Sequence, residues 1–313
     1  MSVIFEIFLR EANAEGFSSS GGVDAEAFFK SKLYRKSIEH YSRAVKDDRI
    51  AAMEYLARGE APRRDIEKVM PGTKALLCAA LPYGHWPHAM PSPNEGPRYS
   101  RYVQGGDYHR EVTLKLENIM RKITAEHNEL KYRICVDTAP VLEKIVAAAC
   151  GIGWIGKNTL LMNERSGSFM FLGVVLIDAT IGADVEVMDD SACDGCSRCV
   201  DACPTRALCA PMKLDARRCI SYQTLENKSG PDLSIGRANY GNWVAGCDVC
   251  QDACPVNEPL RRPPHRSLRW SMNWNEHIEE TEAQFRSRVQ GTPLECMSHE
   301  RFLKNIVIMG GSD

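Results

Sequence analysis

Two runs of cysteine have a spacing that could do chemistry. The first reads Cys193-x2-Cys196-x2-Cys199-x3-Cys203-Pro204, and the second Cys247-x2-Cys250-x3-Cys254-Pro255. Two-residue gaps let three thiolates converge on one iron–sulfur cubane, and a fourth cysteine followed by proline reaches a second cluster. The first run is this bacterial ferredoxin pattern complete. The second is its last three cysteines, with Val244 where the first would stand. Exchange of the fourth cysteine between halves implies two [4Fe–4S] clusters. One takes Cys193, Cys196, Cys199 and Cys254. The other takes Cys203, Cys247, Cys250 and a cysteine from elsewhere, for which Cys219 and Cys209 both stand near enough in sequence. Two zinc sites of four thiolates each are the alternative, but zinc does not require the x3-Cys-Pro ending that occurs here twice. Cys78, Cys135, Cys150 and Cys296 read as small buried hydrophobes.

Upstream of the cysteines, Asp137-Thr138-Ala139-Pro140 follows the strand-like Tyr132–Val136 and precedes a helical pattern over 141–149. One reading makes Asp137 or Thr138 a helix cap with proline in the first turn. The other notes that ligand sites of layered α/β domains gather at the C-terminal ends of strands. A partly desolvated carboxyl there has a raised pKa and can deliver a proton. The run Tyr99–His109 mixes aromatics, Arg101 and the pair Gly105-Gly106. It reads as a binding loop or as a solvated loop capped by Asp107. Gly151-Ile152-Gly153-Trp154-Ile155-Gly156 is a literal GxGxxG, yet it follows a helix rather than a strand. It therefore lacks the context of a dinucleotide site, and Gly151 sits where a helix C-cap belongs.

Positioning these residues requires a folded scaffold, and the composition supplies one. The chain has 313 residues, 44% apolar and 26% charged, with a formal net charge of −2. These values exclude a disordered chain and give no global signal for nucleic acid. No stretch of about 18 apolar residues suggests a membrane span. The N-terminal run Met1–Arg10 has no leading cation, and Glu6 interrupts its apolar residues, so it reads as an amphipathic helix rather than a signal peptide. The expected location is cytoplasmic, with no membrane partner. Thirteen cysteines in such a chain point to metal or redox chemistry rather than disulfides.

Residues 1–70 read as mostly helical. Lys74–Tyr83, Tyr132–Val136 and Phe169–Asp178 read as strands, and Asp107–Glu126 and Val141–Ala149 as helices. This alternation predicts a layered α/β (α+β) domain. Three parts are expected: a catalytic domain over 1–185, a ferredoxin-like domain carrying two [4Fe–4S] clusters over 186–260, and a short helical segment over 261–313. The last begins with Arg261-Arg262-Pro263-Pro264 and holds helical patterns near 276–290 and 299–308.

Several segments together resemble the epoxyqueuosine reductase family of cobalamin-dependent iron–sulfur enzymes. They are Tyr99–His109, Val136–Lys144, Gly151–Leu161, Gly167-Ser168-Phe169, both cysteine motifs and Leu214–Tyr222. The resemblance implies a cobalamin-binding domain related to that of reductive dehalogenases, with cobalamin held base-off and without a histidine ligand. It implies that Asp137 is the catalytic acid and that Cys219 completes the second cluster. Ser100, Asp137, Leu161, Leu172, Ser221, Cys247 and Asp248 correspond to positions that touch the cofactor. The implied reaction removes the epoxide oxygen of epoxyqueuosine at the tRNA wobble position, using an external low-potential electron donor. The tRNA partner makes Arg261, Arg262, Arg266 and Lys304 candidate phosphate contacts.

Overall fold

A computed structural model of the chain describes residues 2–84, 96–260 and 270–310. Two compact units interleave along the chain. The first holds residues 1–48, 54–82 and 109–196, and the second holds 49–53, 83–108 and 197–313.

The first unit is built on a four-stranded sheet. Its strands are β1 (Ser19–Asp24), β2 (Ala75–Pro82), β3 (Tyr132–Cys135) and β4 (Met170–Ile177). The spatial order is β1-β2-β4-β3, and every neighbouring pair is antiparallel. Among the described residues the unit is thus the α+β form of the expected pair of classes. The central strands are near-continuous apolar runs because helices cover both faces. On one face Leu76, Cys78, Ala80, Val174 and Leu176 pack with the helices Ala25–Lys30, Lys32–Lys46 and Glu143–Ala149. On the other, Gly173 lies against Val112 and Leu116 of the helix Tyr108–Glu126, and Gly22 against Phe5 of the helix Val3–Ala14.

Strand β1 lies inside the region read as helical. Its Ser19-Ser20-Gly21-Gly22 start carries no strand signal, yet the glycines are what the edge requires. A Cβ on Gly21 would stand 2.1 Å from the Cys150 carbonyl oxygen, and one on Gly22 would stand 2.6 Å from Ile181 Cδ1. The end of the helix Glu143–Ala149 on one face, and Ile181 with Phe5 on the other, press too close for a side chain.

The second unit has its own core, in which Tyr99, Trp243, Trp270, Phe285, Phe302 and Ile306 are fully buried or nearly so. The strand Arg98–Tyr99 pairs in parallel with Trp243–Ala245. Asn305 Nδ2 donates to the carbonyls of Thr224 and Val244 at 2.9 and 3.0 Å. It ties the helix His299–Gly310 to the cysteine-bearing segment. The expected helix near 276–290 is two helices, Trp274–Ile278 and Glu282–Val289. Thr281 starts the second with a capping box to Gln284. These units do not follow the three-part division read from the sequence. Residues 96–108 join the second unit through the strand at Arg98–Tyr99, and the C-terminal helices share its core.

Candidate functional site

None of the thirteen cysteines is in a disulfide. Within the second unit, Cys203, Cys219, Cys247 and Cys250 stand close enough to influence one another. Burial, then the neighbouring thiols of Cys219 and Cys203 among others, push Cys250 up. Burial foremost, then Cys250 and Cys219, does the same for Cys247. Backbone N–H groups are already turned on these sulfurs: Ala207 donates to Cys203 Sγ at 3.2 Å, Ser221 and Tyr222 to Cys219, and Val249 to Cys247. Such N–H···S bonds support thiolates on iron and tune cluster potential. Half-buried thiols with donors aimed at the sulfurs suit iron ligation in kind, although among the described residues no group of three or more side chains is drawn together as a site for a single metal ion. Cys209 is exposed and its Sγ donates to the Lys213 carbonyl at 3.4 Å. Cys199 and Cys254 also belong to the second unit, whereas Cys193 and Cys196 end the first. There Lys157 Nζ donates to the Cys196 carbonyl at 2.8 Å.

Asp137 follows β3 in the left-handed region, with φ of 57°. The helix begins only at Glu143, with Leu142 as its cap residue, so the capping reading of Asp137 and Thr138 is corrected. Thr138 N–H turns back to the Val136 carbonyl at 2.6 Å, which lifts Asp137 out of the strand. Its carboxylate Oδ2 lies 3.2 Å from His109 Nε2, and its side chain is 60% exposed. The more buried carboxyl of this turn is instead Glu143, which is half-buried. Its Oε1 accepts the Asp137 N–H at 2.6 Å. Burial, then the Asp137 carboxylate, push Glu143 up to about 8. Sequence reasoning passed over Glu143 because a glutamate in a first helical turn is ordinary.

The GxGxxG run ends the helix Glu143–Ala149 with Gly151 at φ 69° and continues into the short strand Trp154–Ile155, not a helix. Leu161 is buried in the core of the first unit, and Leu172 is half-buried on β4 against it.

The remaining expected cofactor contacts fall in the second unit. The loop starting at Tyr99 is not a solvated one, since Tyr99, Ser100, Arg101, Val103 and Gln104 are all buried. Ser100 N–H donates to the Ala245 carbonyl at 2.9 Å. Its Oγ is buried and has no hydrogen-bond partner among the described residues. Gly246 lies against it with φ of 73°, and a Cβ there would come within 2.7 Å of Ser100 Cβ. Asp248 is held by Arg101: the Arg101 N–H donates to Oδ2 at 2.8 Å and Nη1 to the same oxygen at 3.0 Å. Arg101 Nη1 also lies 2.8 Å from Asp252 Oδ1. Burial raises Asp248 to about 6 against the pull of Arg101. Ser221 leads into a π-helical turn, Tyr222–Glu226, of a kind frequent at functional sites. Arg261, Arg262 and Arg266 lie outside the described residues. Lys304 is exposed and donates to the Ser229 carbonyl of its own unit.

Residues 192–257 match the family model described as a 4Fe-4S double cluster binding domain, and residues 63–138 match that of "Epoxyqueuosine reductase QueG, DUF1730". The epoxyqueuosine reductase of Pseudomonas aeruginosa is 37% identical over 266 residues, covering 82% of this chain and 73% of that protein. The chain belongs to the epoxyqueuosine reductase family. That of Synechococcus is also 37% identical, over 84% of this chain and 77% of its own length. The family is one of oxidoreductases. The structure of epoxyqueuosine reductase from Streptococcus thermophilus superposes with a TM-score of 0.81 at 26% identity, covering 99% of this chain and 81% of that one. A crystal structure of an epoxyqueuosine reductase with an epoxyqueuosine-modified tRNA-Tyr stem loop shares the fold, with a TM-score of 0.76 at 24% identity over 97% of this chain and 80% of that one. Among the described residues no helix is long and apolar enough to cross a membrane.

Proposed function

We propose that this chain reduces epoxyqueuosine to queuosine at the wobble position of tRNA. The observation that carries the reading is the match over most of the chain to relatives named for this reaction. It is joined by a double-cluster segment and an acid-bearing turn within the same chain. The reaction takes two electrons and two protons. Both carbon–oxygen bonds of the epoxide break, a carbon–carbon double bond forms, and the oxygen leaves as water.

Cys193, Cys196, Cys199 and Cys254 are assigned to one cluster, and Cys203, Cys219, Cys247 and Cys250 to the other. The two clusters supply single-electron relay from an external low-potential donor. Ser100, Leu161, Leu172, Ser221, Cys247 and Asp248 are assigned to hold cobalamin, which supplies low-valent cobalt chemistry when bound. The orphaned hydroxyl of Ser100, against a glycine that leaves no room for a Cβ, fits contact with a bound group. Asp137 is assigned to hold a proton at its carboxyl and pass it to the leaving oxygen, and His109 orients that carboxyl through Oδ2. The tRNA substrate suits such chemistry, because unstacked anticodon bases can be splayed into a pocket.

The test is anaerobic turnover of tRNA bearing epoxyqueuosine, read by nucleoside mass spectrometry. Appearance of queuosine is expected. Its absence from a fully loaded enzyme overturns the reading.

A further inference from the structure

Asp137 occupies a backbone region that costs an ordinary residue about 1–2 kcal/mol, so the surrounding structure has to hold it there. The turn from Asp137 to Leu142 closes on itself through one side chain. Glu143, the first residue of the following helix, reaches back so that its Oε1 accepts the Asp137 N–H at 2.6 Å. On the other side of the same residue, His109 Nε2 meets the carboxylate at 3.2 Å. Backbone and side chain of Asp137 are therefore gripped by two different helices, Glu143–Ala149 and Tyr108–Glu126.

We propose that Glu143 is the positioning residue of Asp137: its carboxyl oxygen clamps the Asp137 peptide in the left-handed turn and so sets the direction of the acid side chain. The proposal rests on the catalytic role given to Asp137 above. The hydrogen bond itself needs only an acceptor oxygen, which a carboxyl offers in either protonation state. Its amide isostere offers one too. The clamp therefore depends on acceptor geometry and not on charge.

The test uses the loaded enzyme and its E143Q and E143A variants. Amide hydrogen exchange over residues 136–139 reads the clamp directly, and steady-state turnover with modified tRNA reads its consequence. In Glu143→Ala the Asp137 amide should exchange about tenfold faster, the worth of one lost hydrogen bond. Its kcat should fall by about 10²-fold, as expected for a misplaced catalytic group. KM for tRNA should stay within about twofold, since only an interaction of the transition state is lost. Glu143→Gln keeps an acceptor oxygen, so both readouts should stay within about threefold of wild type. Unchanged exchange in Glu143→Ala overturns the clamp, and faster exchange with kcat within about threefold overturns its positioning role. A Gln variant as impaired as Ala also overturns it, by assigning the carboxyl a role other than acceptor. If wild-type enzyme does not convert epoxyqueuosine, the functional reading fails while the exchange experiment still decides the clamp.

Discussion

Replacing Arg101 by methionine removes the cation from a carboxylate that has almost no access to water. Asp248 is 1% exposed and Arg101 5%. The guanidinium reaches Asp248 Oδ2 at 3.0 Å and Asp252 Oδ1 at 2.8 Å. Breaking such a pair from one side leaves an uncompensated buried charge and costs about 3–5 kcal/mol. The pH dependence identifies the cause. Burial raises Asp248 from 3.8 to about 6 in the folded protein. Its contribution to stability is therefore fully present below pH 3.8 and is lost as pH rises through about 6. Without Arg101 the folded pKa moves higher still, and the loss continues above pH 6. At pH 5.5 most Asp248 is already protonated, so Arg101→Met should cost only about 1 kcal/mol there, the worth of a hydrogen bond. At pH 8 the cost should approach the full amount. Guanidinium unfolding of the anaerobic holoprotein, followed by the fluorescence of buried Trp243 and Trp270, measures both values. Arg101→Met/Asp248→Asn should recover part of the loss at pH 8. Equal losses at the two pH values, or a loss below about 1 kcal/mol at pH 8, would refute the reasoning.

Other substitutions test separate parts of the account. Asp137→Asn should lower turnover by about 10²–10⁴-fold with both clusters and corrinoid still bound, and activity within about threefold of wild type contradicts a proton-donor role. Cys219→Ala should lose the iron of one cluster, whereas Cys209→Ala, at an exposed thiol bonded to the Lys213 carbonyl, should lose none. Equal iron loss in both would reverse the ligand assignment. Gly246→Ala places a Cβ 2.7 Å from Ser100 Cβ at a positive φ. It should lower stability by at least about 1–2 kcal/mol from the backbone alone, and an unchanged melting temperature argues against that packing.

The two central strands were legible because Ala75–Pro82 and Met170–Ile177 are buried on both faces, so burial wrote itself into an unbroken apolar run. The strand at Ser19–Asp24 was not. There the constraint is the closeness of Cys150 and Ile181, which selects glycine and erases the side-chain pattern. Asp137 could be singled out by its place after a strand, but the spacing suggested a helix cap. In the left-handed turn that carries it, the Asp137 N–H donates to Glu143, six residues on, and no local rule announces that bond. Spacing left Cys209 and Cys219 equal, because it measures distance along the chain. The structure separates them by exposure and by the N–H groups turned on Cys219. Arg101 read as a loop cation because its partner, Asp248, is 147 residues away.

The central claim is the reaction, and one measurement addresses it directly. The protein is purified and reconstituted anaerobically, given cobalamin and a strong reductant, and supplied with tRNA bearing epoxyqueuosine. The nucleosides are then separated and weighed. The account predicts loss of one oxygen, with queuosine formed by the complete mixture and not when cobalamin is omitted. Unchanged epoxyqueuosine, with iron and corrinoid verified on the protein, would contradict it.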